Sequence, residues 1–332
     1  MAYQTGAATS QNDLTQQIVA WLQTQGWTLD ASQADGTGWR AHLHKAGIYV
    51  HLKCVTTGTP FNGVTANAPT IPGLYCYLST AFAGVGQNWY ASLTGAPLGS
   101  DGKVCGSGIV VATGANTAYY FFCDGADHYV IVVERTPGVF QAFGFGLSVI
   151  QHGGAWTGGQ YVHGQMSAGN TSNTPVNDSV SCPFHYGTHE YGICNSGFLR
   201  ADVGTFINGW LGVGPDVANP RNGWTGRQAF SSVGGFWDGG INLDDGQSKV
   251  NPLIPHTQSL FFMGPSSVNS QALLLPIRIW AASEAGGALL LATIPSVWQC
   301  AAVGNGYVAG QEIQLGADTY MVFPNFAVRK VA

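Results

Sequence analysis

Four residues with the side chains to hold a metal fall within 13 positions of the stretch SCPFHYGTHEYGIC: Cys182, His185, His189 and Cys194. Thiolate and imidazole suit zinc, and four such ligands can close a tetrahedral structural site. A zinc clip would order a glycine-rich loop that has no core of its own. Against zinc, the order C-x2-H-x3-H-x4-C is not a standard zinc spacing. Histidines flanked by Tyr186 and Tyr191 also serve in packing or hydrogen bonding. A second group, His42, His44 and His51, lies in residues 41–55, where polar and apolar residues alternate around Ala46-Gly47. A two-residue turn there sets His42 opposite His51, with Cβ atoms within about 5 Å, close enough to share a metal. A polar sheet face that happens to use histidine explains them with fewer assumptions.

Catalytic signatures are missing. Cys105 stands where a Gly-x-Ser-x-Gly elbow around Ser107 would need its first glycine. The chain has neither a phosphate-cradling Gly-Lys-Ser/Thr loop nor a His-Glu-x-x-His pair. Asp244-Asp245 reads as a turn, flanked by Leu243 and Gly246. Glu134 and Asp127 flank one strand and are the remaining candidate acid pair, of the kind a glycosidase uses. The expectation is a protein that is not an enzyme and carries no cofactor beyond a structural zinc.

The elements that would position these residues are mostly strands. Leu14, Ile18, Trp21 and Leu22 form one apolar stripe at helical spacing. Ser10 and Asp13 resemble a capping box, and Gly26 suits a C-cap over which Trp27 folds back. Residues 1–30 are therefore expected to be a helical segment. In residues 41–55 the alternation puts Ala41, Leu43, Ile48, Val50 and Leu52 on one face, and the histidines with Tyr49 and Lys53 on the other. A second hairpin runs through residues 129–150 around Thr136-Pro137-Gly138, and a third closes the chain around Gly316-Ala317-Asp318. Within the second, Phe143 and Phe145 share a face, while Gly144 and Gly146 leave bare backbone on the other. Glycine inside a strand often marks close approach by another backbone or ring.

Residues 166–256 lose periodicity and read as a Gly/Asn/Trp-rich irregular insertion or second subdomain. A weak echo links Trp156-Thr157-Gly158-Gly159-Gln160 to Trp224-Thr225-Gly226-Arg227-Gln228. The fold class is mainly β: antiparallel hairpins forming a sandwich-like domain with an N-terminal α-helix and a long loop-rich insertion. Residues 31–165 begin that β domain and 257–332 complete it.

Charged residues make up 9% of the 332, where about a quarter is usual. A net charge of −5 gives no basic patch, so nucleic acid is not an expected partner. The most apolar stretch, residues 272–282, is interrupted by Pro276 and Arg278 and is too short to span a bilayer. The start MAYQTGAATSQNDL lacks the features of a secretory signal, and seven cysteines without framework spacing read as reduced thiols in a product made in the cytoplasm. So little charge suits a surface covered by neighbours. Leu14, Ile18, Trp21, Leu22, Phe143, Phe145, Trp156 and Trp224 are the candidate interface or packing residues.

Three stretches carry a resemblance. The opening MAYQTGAATSQNDLTQQIVAWLQTQGW is similar to the N-termini of virion proteins of tailed bacteriophages. So is the central HYVIVVERTPGVFQAFGFGLSVIQHGGAWTGGQYVHG, with its Pro-Gly turn and Phe-Gly-Phe-Gly, and so is the closing GQEIQLGADTYMVFPNF. The resemblance implies a structural subunit of the virion, in the baseplate or at a tail-fibre attachment point. Its partners would be other tail proteins and copies of itself, as a trimer or hexamer by tail symmetry. A receptor- or glycan-binding tail module, and a head decoration or neck protein, are the alternatives.

Overall fold

The computed structural model describes residues 3–57, 72–85, 93–97, 104, 106–109, 114–125, 127–150, 157–164, 166–168, 197–202, 208–213, 229–231, 274–282, 288–300, 303, 306–324 and 326–331. Within them one helix, α1 (Gln11–Thr24), follows the strand β1 (Tyr3–Ala8). Next come β2 (Thr28–Asp35), β3 (Gly38–Lys45), β4 (Ile48–Val55), β5 (Gly73–Ser79), β6 (Ala81–Phe82), β7 (Leu93–Thr94) and β8 (Gly106–Ile109). The middle of the chain supplies β9 (Asn116–Cys123), β10 (His128–Thr136), β11 (Val139–Leu147), β12 (Val149–Ile150), β13 (Thr157–His163) and β14 (Met166–Ala168). Then follow β15 (Gly197–Asp202), β16 (Asn208–Val213), β17 (Ala229–Ser231), β18 (Leu275–Ala282), β19 (Ala288–Gln299), β20 (Glu312–Leu315), β21 (Asp318–Phe323) and β22 (Phe326–Lys330).

A 14-stranded sheet runs in the order β1-β9-β10-β11-β13-β15-β16-β17-β18-β19-β22-β21-β20, with β12 joined to β19. All its pairings are antiparallel except the single β16–β17 link. It folds back on itself, so that β9–β16 face β18–β22 across a core that includes Phe122, Val132, Phe140, Ile279, Val297 and Phe323. The Phe323 ring meets Tyr120, Phe122 and Phe140 at 5.4, 6.1 and 5.6 Å between centroids. The other face of β9, β10, β11, β13 and β15 is covered by α1 and by a six-stranded sheet of order β14-β8-β5-β4-β3-β2. The protein is mainly β, antiparallel and layered, as its alternating hydrophobic pattern requires.

Helix α1 is wedged between the two sheets. Leu14, Ile18, Trp21 and Leu22 are all buried, and Trp21 lies 5.3 Å from Phe121 and 5.9 Å from Tyr129. The Ser10 side chain accepts the Asp13 N–H at 3.1 Å, while the Asp13 carboxylate accepts the Thr9 N–H at 2.8 Å. The reciprocal arm of the capping box therefore reaches one residue further back than the usual N-cap. That backbone hydrogen bond from Thr9 is the main reason the Asp13 carboxyl lies below its ordinary range. Gly26, at φ 86°, turns the chain so that Trp27 packs on Tyr129 and Phe145.

Two expectations change here. Residues 1–30 are not helical throughout: Tyr3–Ala8 is a strand paired with β9, and β2 begins at Thr28. The six residues YQTGAA are too few to display a period of two, and their partner lies over a hundred positions away. Within residues 166–256, β15 and β16 extend the large sheet next to β13, and β14 adds to the small one. Glycines inside β16 interrupt the alternation that would have marked it as a strand.

Candidate functional site

The small sheet buries one face and turns a polar, aromatic face away from the helix. Cross-strand pairing sets His42 beside His51 and His51 beside Tyr77, with Arg40, Lys53 and Tyr75 in the next row. Ala46 and Gly47, both at positive φ (47° and 79°), form the turn that fixes this register.

The His42 and His51 rings meet Nδ1 to Nδ1 at 2.8 Å, and His51 Nε2 lies 2.7 Å from Ser79 Oγ. Ser79 Oγ donates to the Ala81 carbonyl at 2.8 Å. The hydroxyl has one proton, so His51 Nε2 must donate to Ser79. His51 Nδ1 is then the acceptor, and His42 Nδ1 carries the proton between the rings. This leaves His42 Nε2 as a bare lone pair, buried and without a partner among the described residues.

A small hairpin covers the pair. Phe82 stacks on His42 at 4.4 Å and 17°. Leu93 and Ala96 pack on Tyr75 and Tyr77, and Trp210 Nε1 donates to the Gly95 carbonyl at 2.7 Å, linking the hairpin to the large sheet. Burial under this cover, with a smaller effect of the Arg40 charge, pushes His42 down to about 4. Burial and the neighbouring His42 hold His51 well below its usual value. Asp35 is held by Lys53, and Asp30 by His44 at 2.9 Å.

In chemical terms Ser79 is a poor nucleophile. Ser79 receives a proton from His51, where an activated serine must give one. The Glu134–Asp127 pair fails on distance: the two acids sit at opposite ends of β10, about 23 Å apart at strand rise, far beyond glycosidase separations of about 5–9.5 Å. Glu134 accepts the Gly138 N–H at 2.8 Å, and Asp127 pairs with Lys45 at 3.2 Å.

A second buried polar group lies over the Phe-Gly-Phe-Gly strand, inside the folded large sheet. Gly144 pairs with His163, and Gly146 pairs with both His128 and Tyr161. A Cβ on Gly144 would press into the His163 ring and sit 2.6 Å from the Tyr129 carbonyl oxygen, so only glycine fits. Tyr161 stacks on His128 at 6.1 Å and on His163 at 6.0 Å, and its hydroxyl lies 3.4 Å from His128 Nδ1. His128 Nε2 faces Asp124 at 3.8 Å, and Ser296 donates to the same carboxylate at 2.6 Å. Ser296 reaches it from a left-handed backbone (φ 61°) at a bulge in β19. Burial pushes His163 down to about 3, and it also lowers His128 against the opposing charges of Asp124 and Asp127.

Phe143 and Phe145 are fully buried on the opposite face, against the helix and the small sheet. They and the α1 stripe are packing residues of the chain's own core. Cys182, His185, His189, Cys194, Trp156 and Trp224 lie outside the described residues. Four described cysteines, Cys54, Cys76, Cys123 and Cys300, are buried and form no disulfide among the described residues. The sequence shows the His42–His51 register but not Ser79, Phe82, Asp124 or Ser296, because their partners lie on strands outside the hairpins. Among the described residues no helix is long and apolar enough to cross a membrane. No model of a known protein family matches the chain, and no curated protein matches it.

Proposed function

We propose that the chain is a structural subunit of a tailed-phage virion, in the baseplate or at a tail-fibre attachment point, acting by assembly and not by catalysis. The observation that carries the assembly reading is the fate of its few charges. All three described lysines are engaged within the chain: Lys45 with Asp127, Lys53 with Asp35 and Lys330 with Glu312. Arg329 is likewise paired with Asp318 at 2.6 Å. Uncompensated charge is what protein contacts exclude from their centres, so neutral polar surface suits repeated subunit contacts.

The phage assignment rests on the resemblance of three segments. Those segments include α1, β10 to β13, and β20 with β21, and they contribute to the packed clusters on both faces of the large sheet. A shared scaffold is therefore what the resemblance covers. The inward-donating Ser79 chain and the separated Glu134 and Asp127 favour a non-catalytic role.

Native mass spectrometry of the purified chain at micromolar concentration tests the assembly reading. A trimer, hexamer or ladder of open oligomers supports it, and excess mass per subunit tests zinc in the same spectrum. A clean monomer overturns self-assembly and shifts weight to the receptor- or glycan-binding alternative.

A further inference from the structure

Independently of that reading, we infer that the His42–His51 pair is a proton-sensitive latch holding the Ala81–Phe82/Leu93–Thr94 hairpin on the small sheet. The geometry makes the pair a device with one stable proton count. With two ring protons and the Ser79 hydroxyl's own, the contacts His42 to His51, His51 to Ser79 and Ser79 to Ala81 are all satisfied in one direction. A third proton can enter only at His42 Nε2, which has no acceptor among the described residues.

Among the described residues nothing facing the pair outweighs the burial of that proton: Asp30 and Asp35 favour it, but less than burial and Arg40 oppose it. From β2, Asp35 is held by Lys53 and Asp30 by His44. From β3, Arg40 adds positive charge beside His42. From β4 and β5 come Lys53, paired with Asp35, and Tyr77, the cross-strand partner of His51. The described residues of the hairpin, 81–85 and 93–97, contain no titratable side chain. An imidazolium would still be attracted to the Phe82 ring face, but a ring face does not accept the Nε2–H as water does.

Lifting Phe82 supplies that water. An open His42 takes its proton near pH 6.5, whereas the closed one waits until about 4. Opening and protonation are therefore linked, and the open fraction rises roughly tenfold per pH unit below about 6.5 for one proton. The hairpin is held elsewhere by few contacts: Thr80 N–H to the Thr94 carbonyl at 3.0 Å, Trp210 to Gly95, and the packing of Leu93 and Ala96. Opening it leaves the strand pairing of β3, β4 and β5 intact.

The test is amide hydrogen exchange of peptides spanning 80–85 and 93–97 between pH 7 and 5.5, corrected for intrinsic exchange. Wild type should lose protection there about fivefold between pH 6.5 and 5.5 while β9–β11 stay protected. His42→Asn keeps a donor toward His51 and removes the vacant nitrogen, so it should flatten that dependence. Phe82→Ala, which leaves the pair in place, should open the hairpin already at pH 7 with β9–β11 unchanged. The latch is overturned by a pH-independent hairpin in wild type, by an undiminished dependence in His42→Asn, or by loss of protection only together with β9–β11. A Phe82→Ala hairpin with wild-type protection overturns it equally.

Discussion

Lowering the pH from 7 to 4 asks the folded chain to accept protons where its interior resists them. His42, His51 and His163 are buried, and burial shifts all three downwards. Above about pH 6.5 the imidazoles are neutral whether the chain is folded or not, so they contribute nothing to stability. Below it the unfolded chain binds protons that the folded chain does not, and stability falls as pH falls. The loss continues down to the folded value, about 4 for His42 and about 3 for His163. His42 and His163 together give a slope approaching about 3 kcal/mol per pH unit and a loss of about 6 kcal/mol by pH 4, and His51 adds to it in the same direction. That is of the order of a whole domain's stability, about 5–15 kcal/mol. Urea denaturation followed by tryptophan fluorescence at half-unit steps from pH 7 to 4.5 measures it. The midpoint should fall steeply below pH 6, and His163→Gln should reduce the slope by about one proton. A free energy of unfolding that changes by less than about 1 kcal/mol between pH 6 and 5 would refute the neutral burial of these rings.

Two further substitutions test the packing around the Phe-Gly-Phe-Gly strand. Phe143→Ala removes a fully buried ring from the layer between β11 and α1, and should cost about 3–5 kcal/mol. An unchanged melting temperature would remove Phe143 from the core. Gly144→Ala forces a Cβ against the Tyr129 carbonyl at 2.6 Å and into the His163 ring, and should cost about 1–3 kcal/mol as overpacking does. Adding His163→Ala should recover only part of that loss in a double-mutant cycle, because the carbonyl cannot move aside. Full recovery would place the whole clash on the ring.

Much of the local structure is legible in the sequence, and the reason is sequence distance. The Ser10–Asp13 cap, the Ala46-Gly47 turn with its His42–His51 register, and the hairpins at Pro137-Gly138 and Gly316-Ala317 all close over a few residues. Each is specified by side chains that meet within that span. The bare face of the Phe-Gly-Phe-Gly strand signals an approaching ring, but which ring, His163 or Tyr161, depends on a neighbouring strand the motif does not contain. Ser79 and Phe82 reach the histidine pair only because β5 lies beside β4, across a connection with no periodic signal. Ser296 is a serine in a strand by pattern; its left-handed backbone comes from the bulge that register with β18 imposes. β1 is the extreme case, since its six residues acquire meaning only from β9.

The way the large sheet is threaded has a consequence for how the chain is made. Gln4 bonds Tyr119 across 115 positions, and Ser296 reaches Asp124 across 172. The core between the sheet's two halves needs β18–β22, which leave the ribosome well after β9–β16. The β2–β3–β4 meander can form early, while the strands β9–β11 would wait with one apolar face uncovered. At about 5–20 residues per second, translation of the intervening chain leaves that face unshielded for roughly ten seconds or more. A nascent chain arrested before β18 would therefore be a strong chaperone client, and released copies crowded together are at risk of completing one another's sheets.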